Sequence, residues 1–284
     1  MIHRSSHQRL ETLLIDTELA RCEIALFGAQ VLSFVPRRDG RDLLWCSPAR
    51  LKPGRAVRGG VPVCWPWFAR QGVADGAPQH GFVRTSVWHA DSVVEQHDGS
   101  VSVTLSIEPA FEGWPATCAP TLTVTVGNAL TMTLETRNDS ARPVTLTQAL
   151  HTYFRVGDVR EAGIEGLLGL RYLDKIEGFA EFIQRGPWRF DTACDRIYLA
   201  SGPRHVIDDP ILGRAIVVES EGSASTVVWN AGPAGIGALG DVPLTDWYQY
   251  LCVEAANCGP LDSVTLAPGA STRLTQRLSA DPRP

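Results

Sequence analysis

The sequence predicts an all-β protein built as a large antiparallel sandwich. Three observations carry that expectation. Short apolar or alternating runs recur along the chain with turn residues between them. Two of them, TLTVTVGN (121–128) and LTMTLETRN (130–138), alternate Leu, Val or Met with Thr, a period-two pattern with β-branched residues on both faces. Helical periodicity hardly extends beyond a turn or two, and neither a G-x-G-x-x-G nor a Walker loop is present, which argues against a doubly wound nucleotide fold.

Taken in order, early strands are expected at ARCEIALFG (20–28), QVLSFVP (30–36) and DLLWCS (42–47). SVSVTLSIEP (100–109), the two Thr-rich runs and PVTLTQALHTYF (143–154) follow, with GNA (127–129) and NDSAR (138–142) reading as hairpin turns. Later strands are expected at AIVVES (215–220), STVVWN (225–230) and YLCVEA (250–255), with a last one near STRLTQRL (271–278). Successive hairpins imply antiparallel sheets packed face to face. No linker-like or low-complexity segment interrupts them, so residues 1–284 are expected to form a single domain.

Composition narrows the function. The chain has 284 residues, 44% hydrophobic and 20% charged, enough for a large core. A net charge of −5 argues against a broad nucleic-acid surface, while leaving room for a local basic pocket. Lys52 and Lys175 are the two lysines among 26 basic residues, an arginine bias that genome composition alone would explain. Seven scattered cysteines include no C-x-x-C pair and no zinc-like His spacing, so reduced, mostly buried thiols and no metal are expected. The opening MIHRSSHQRLETLL lacks the roughly 7–15-residue apolar core of a signal peptide. No run approaches the roughly 18 apolar residues of a membrane span. A cytoplasmic monomer with no membrane or nucleic-acid partner is the expectation.

Three stretches concentrate unusual chemistry. VRGGVPVCWPWFARQGVADGAPQHGFVRT (57–85) is rich in Gly, Pro and aromatics, as a shaped loop would be, and carries Arg58, Gln79, His80 and Arg84. QALHTYFRVGD (148–158) sets His151 in an apolar strand. LCVEAANC (251–258) holds a lone carboxylate, Glu254, in an apolar run, and burying an unpaired carboxylate is costly. A weaker fourth, ACDRIY (193–198), places Asp195 before a β-like segment. Each residue also has an ordinary structural reading. A strand His is commonly a hydrogen-bonded core residue, Glu254 could pair with an arginine, Asp195 could cap a turn, and Trp65, Trp67 and Phe68 could simply pack.

Jointly and in order, VRGGVPVCWPWF, PQHGFVR, ALHTYFRVGD and CVEAAN resemble the aldose 1-epimerase superfamily, in particular its hexose-6-phosphate mutarotase branch. GAQVLSFVP, DLLW, YLDK and DRIY extend the resemblance from about Ala25 to the final strand. It implies a galactose-mutarotase-like β-supersandwich with an open sugar cleft and no cofactor. By the same resemblance, His151 would be the general acid and Glu254 the general base. Asp195 would hold sugar hydroxyls, Arg58, Gln79 and Arg84 would bind substrate, and His80 would lie close enough to contact the sugar. After VVWN the family commonly continues with Pro and an aromatic, whereas this chain reads AGPAGIGALGDVPLTDW, a departure that bears on rim contacts and substrate preference.

The implied reaction suits these residue types. A raised-pKa carboxylate and an imidazole titrating near neutrality are matched to proton transfer at pH 7. Two arginine forks suit the phosphate of a hexose 6-phosphate, glucose 6-phosphate foremost, and Gly59–Gly60 would let backbone N–H groups approach the anion. Alternatives are an epimerase of unphosphorylated aldoses, a non-catalytic carbohydrate-binding sandwich, and a glycoside hydrolase with Asp195 and Glu254 as its carboxylates.

Overall fold

A computed structural model of the protein describes residues 2–52, 54–70, 72–73, 75–258 and 261–282. Two eight-stranded antiparallel sheets dominate it. One runs, in spatial order, Ala180–Ile183, Arg171–Asp174, Cys194–Leu199, Ser225–Asn230, Tyr250–Asn257, Gln148–Leu150 and Val63–Cys64, with Tyr153–Arg155 also pairing Tyr250–Asn257. The other runs Gly163–Glu165, Arg204–Asp209, Arg214–Glu221, Ser271–Pro282, Leu130–Asn138, Cys118–Val126, Val101–Ser106 and His89–Glu95. A four-stranded sheet spans Ile2–His7, Leu10–Asp16, Ala20–Ala25 and Gln30–Pro36, and a two-stranded one joins Val144–Leu146 to Val264–Leu266.

The Thr-rich hairpin behaves as its period demands. Leu122, Val124 and Val126 pair across to Leu134, Met132 and Leu130, all of them buried, while the intervening threonines stay partly exposed. The common core draws on both large sheets: Val253, Ala255 and Val228 from the first, and Leu134, Leu274 and Val218 from the second. All seven cysteines are free, and six of them are buried.

Two expectations are corrected. DLLWCS is not a strand; it touches neighbouring chain through isolated bridges, Leu44 to Phe154 and Cys46 to Gly59. PVTLTQALHTYF is broken into three short strands, the first pairing with Val264–Leu266 and the other two with successive parts of Tyr250–Asn257. Gly232–Leu239 is the one α-helix among the described residues. No helix is long and apolar enough to cross a membrane.

Candidate active site

Strand register builds the floor of the site. Asp195 pairs with Trp229, Trp229 with Cys252 and Cys252 with Tyr153, one cross-strand row on one face of the first sheet. Two residues along each strand, Ile197, Val227 and Glu254 form the next row on that face. The apolar run around Glu254 follows from this arrangement. Leu251, Val253 and Ala255 point into the main core while Cys252 and Glu254 lie on the opposite, cleft-side face, so every residue of Tyr250–Asn257 is buried.

Arg58, Gln79, His80, Arg84, His151, Asp195 and Glu254 all line a single cleft of about 130 Å³. All seven sequence-derived positions are thus brought together from segments scattered between residues 58 and 254. A larger groove of about 870 Å³, across Trp67, Phe111 and Trp114, contains none of them. Volume does not decide between the two, because the smaller cleft gathers the ionisable groups.

His151 Nε2 lies 3.4 Å from Glu254 Oε1. Glu254 is 1% exposed and His151 8%. Neither carboxylate oxygen of Glu254 has a hydrogen-bond partner among the described residues. Burial pushes the Glu254 carboxyl well above the usual carboxylate range; nearby Lys175 pulls it down and Asp195 adds to the rise. Burial also pushes the His151 imidazole down to about 3, with Arg58 and Arg84 reinforcing the effect. The raised carboxylate agrees with the sequence expectation. The imidazole does not titrate near neutrality, because it is desolvated among cations.

Arg58 is already heavily engaged. Its Nε and Nη2 donate to Asp241 Oδ1 and Oδ2 at 3.0 and 3.2 Å, and Nη1 donates to the Tyr153 hydroxyl at 3.0 Å. Asp241 belongs to the segment after VVWN, where Leu239 also lines the cleft. Arg84 donates from Nη2 to the Gln79 carbonyl at 2.6 Å, and no carboxylate lies within 4 Å of it among the described residues. His80 accepts a hydrogen bond at Nδ1 from the Ala69 N–H at 3.2 Å, which leaves the proton of the neutral ring on Nε2, 3.3 Å from the Gln79 amide nitrogen. Burial holds His80 well below the usual imidazole range.

Gly59 and Gly60 both serve close packing, and the Gly60 N–H is not free for an anion. A Cβ on Gly60 would stand 2.1 Å from the Val31 carbonyl oxygen, and the Gly60 N–H is taken by the Trp45 carbonyl at 2.7 Å. Gly81 of the HGF motif is similarly forced, since a Cβ there would sit 1.7 Å from the Trp65 carbonyl oxygen.

Sequence reasoning missed Lys175, Phe68 and Trp229 as lining residues. Lys175 Nζ stands 2.8 Å from Asp195 Oδ2 and 5.8 Å from the Phe68 ring centroid. Its signal was the rarity of lysine in the chain and its place at the end of YLDK. The His151, Cys252 and Glu254 side chains converge, with a ring nitrogen, the thiol sulfur and a carboxylate oxygen all within 4.8 Å of one another.

Comparison with known proteins identifies the family. A curated Escherichia coli K12 protein, provisionally named glucose-6-phosphate 1-epimerase, is 34% identical over 93% of this chain and 89% of its own. A Cenchrus ciliaris protein with the same provisional name is 34% identical over 92% of this chain and 81% of its own. A Salmonella typhimurium crystal structure, provisionally described as a mutarotase, superposes with a TM-score of 0.91 at 30% identity, covering 99% of this chain and 94% of that one. The sequence model of the family described as Aldose 1-epimerase matches residues 11–279. The chain belongs to the aldose 1-epimerase family.

Proposed function

We propose that the protein interconverts the α and β anomers of a hexose 6-phosphate, glucose 6-phosphate foremost, and that residues 1–284 act as a single catalytic domain. The observation that carries this reading is the buried Glu254–His151 pair, 3.4 Å apart in a cleft whose lining also holds two arginines. The names of the relatives point to the same substrate class.

The pair can supply both proton transfers that the reaction requires. Glu254 takes the proton from the C1 hydroxyl while His151 gives one to the ring oxygen, the C1–O5 bond breaks and an open aldehyde forms. Rotation about C1–C2 presents the other carbonyl face. Glu254 then returns its proton to O1 and His151 recovers one from the O5 hydroxyl. Ring opening needs the ion pair, carboxylate and imidazolium; ring closure needs the neutral pair. Both forms hold the same single proton, so the shifts that favour the neutral pair store the ring-closing form and do not remove the proton the cycle requires. In this reading Asp195 and His80 contact sugar hydroxyls, Gln79 binds the substrate and the arginines take its phosphate; what supports it is that all five line one cleft.

Anomer-exchange NMR tests the reading, first with glucose 6-phosphate and then with glucose. Exchange well above the uncatalysed rate, with glucose 6-phosphate preferred, is expected. No acceleration on either sugar would refute the enzyme assignment and favour a binding module.

A further inference from the structure

A buried base has a difficulty of its own. Glu254 must be ionised to open the ring, yet it is 1% exposed and neither oxygen is hydrogen-bonded among the described residues. Some positive charge has to face it.

The cleft offers few choices. Cys252 on Glu254's own strand and Cys258 just past its end are thiols kept protonated by burial, as is Cys64 on the Val63–Cys64 strand of the same sheet. His151 and His80 are both held in the neutral form by burial. Beside them, Arg58 is paired with Asp241 and Tyr153; Arg84, held by the Gln79 carbonyl, has no carboxylate partner among the described residues, yet neither arginine is among the charges that act on Glu254. From the Cys194–Leu199 strand comes a second carboxylate, Asp195, which opposes ionisation of Glu254. Lys175 remains. It follows Arg171–Asp174, lines the same cleft as Glu254, and closes on Asp195 at 2.8 Å.

We propose that Lys175 is a positioning residue for the anomerisation, joining Asp195 to Glu254: its ammonium holds the Asp195 carboxylate in place for the sugar hydroxyls and is the counter-charge that lets buried Glu254 ionise. An ammonium carries three donors, and Asp195 uses one, so the charge can serve two carboxylates at once. Its pull on Glu254 exceeds the opposing push from Asp195. The inference rests on Glu254 acting as base, and one arm of its test does not.

Lys175→Met and Lys175→Arg are compared with the unaltered protein, with circular dichroism confirming the fold. In protein carrying ¹³C at the Glu side-chain carboxyl, the Glu254 resonance, assigned by its loss in Glu254→Gln, is titrated. Its midpoint should rise by about one pH unit in Lys175→Met, the low end of the effect of a neighbouring charge because Asp195 offsets part of it. It should return in Lys175→Arg. Exchange at pH 7 should fall about tenfold in Lys175→Met, equally on glucose 6-phosphate and glucose, because the defect lies at C1 and one unit is a tenfold change in ionised fraction. An unmoved Glu254 midpoint overturns the proposal. So does a loss confined to glucose 6-phosphate, which would make Lys175 a phosphate ligand. A moved midpoint in a protein whose Glu254→Gln variant stays fully active would instead overturn the base assignment, and the kinetic role of Lys175 with it.

Discussion

Arg84→Ala should separate recognition of phosphate from recognition of sugar more cleanly than any change at Arg58. An inventory of charge around the cleft gives the reason. Arg58 is balanced by Asp241 and Lys175 by Asp195, which leaves Arg84 as the lining cation with no carboxylate within 4 Å among the described residues. A dianion entering the cleft meets uncompensated charge there. One or two charge-assisted hydrogen bonds at about 1.5–3 kcal/mol each are at stake, and about 1.4 kcal/mol is tenfold, so kcat/KM for glucose 6-phosphate should fall roughly 10–100-fold. The loss should lie mainly in KM, because the phosphate is remote from C1 and is held alike in ground and transition states. Arg58→Ala alone is a poor comparison, since it orphans the half-buried Asp241 carboxylate beside the same cleft. The fair comparison is Arg58→Ala with Asp241→Ala, which removes both charges together; it should cost less than about tenfold, there being no net charge to lose. The assay is anomer-exchange NMR on glucose 6-phosphate and glucose at low and high salt, with added salt narrowing the difference between the two sugars. A larger loss in the paired variant than in Arg84→Ala would refute the charge inventory. Equal losses on both sugars in Arg84→Ala would remove the phosphate assignment altogether.

Glu254→Gln should lower kcat by about 10²-fold or more and yet stabilise the fold at pH 7. A carboxyl raised on folding holds its proton longer in the native state than in the unfolded one, so stability falls as pH rises above the unfolded carboxylate value; the advantage of Gln should therefore shrink toward pH 4 in urea titrations at several pH values. His151→Asn should also lose activity strongly without adding to Glu254→Gln, because both act on one transition state, as exchange rates of the double variant will show. With His151 pushed down to about 3, the acid limb of kcat/KM should lie well below the ordinary imidazole range, and measurement on free glucose avoids the phosphate's own ionisation; a limb near 6.5 would contradict the free-enzyme site. Arg214→Ala should destabilise the protein by about 3–5 kcal/mol in urea unfolding, since it breaks a fully buried pair with Asp39 and frees the Asp42 and Arg155 carbonyls.

The parts of the fold legible in the sequence are those where one face of a strand is buried and the other is not. The hairpin of Cys118–Val126 and Leu130–Asn138 shows its period because Leu, Val and Met alternate with Thr. Ile2–His7, His89–Glu95 and Ala180–Ile183 gave no signal, being exposed along almost their whole length, so no apolar stripe marks them. DLLWCS misled for the opposite reason: Leu43, Leu44 and Trp45 are buried, but by irregular chain rather than a ladder. In the site, Glu254 stood out as a charge in an apolar run and His151 through its motif. Lys175 did not, because a lysine after a strand looks like any solvated charge until Asp195 is seen 2.8 Å away. The occupation of Arg58 was equally invisible, since Asp241 is remote from it in sequence.

That tie between Arg58 and Asp241 bears on how such a protein could change its diet. Glu254 and Asp195 sit on strands of one sheet, with His151 at a strand's end, where a shift in any of them would disturb the ladder they belong to. Arg58, Gln79 and Arg84 stand outside the ladders, and Arg58 is steered by a carboxylate from the segment spanning residues 231–247. Insertions and substitutions in such a segment can redirect an arginine without touching the proton-transfer pair. Selection can therefore retarget the enzyme to another phosphorylated or plain sugar through one stretch, and an engineer can graft that stretch from a relative and expect the chemistry to survive where the packing of Ile236 and Val242 beside Tyr153 and Cys252 is kept.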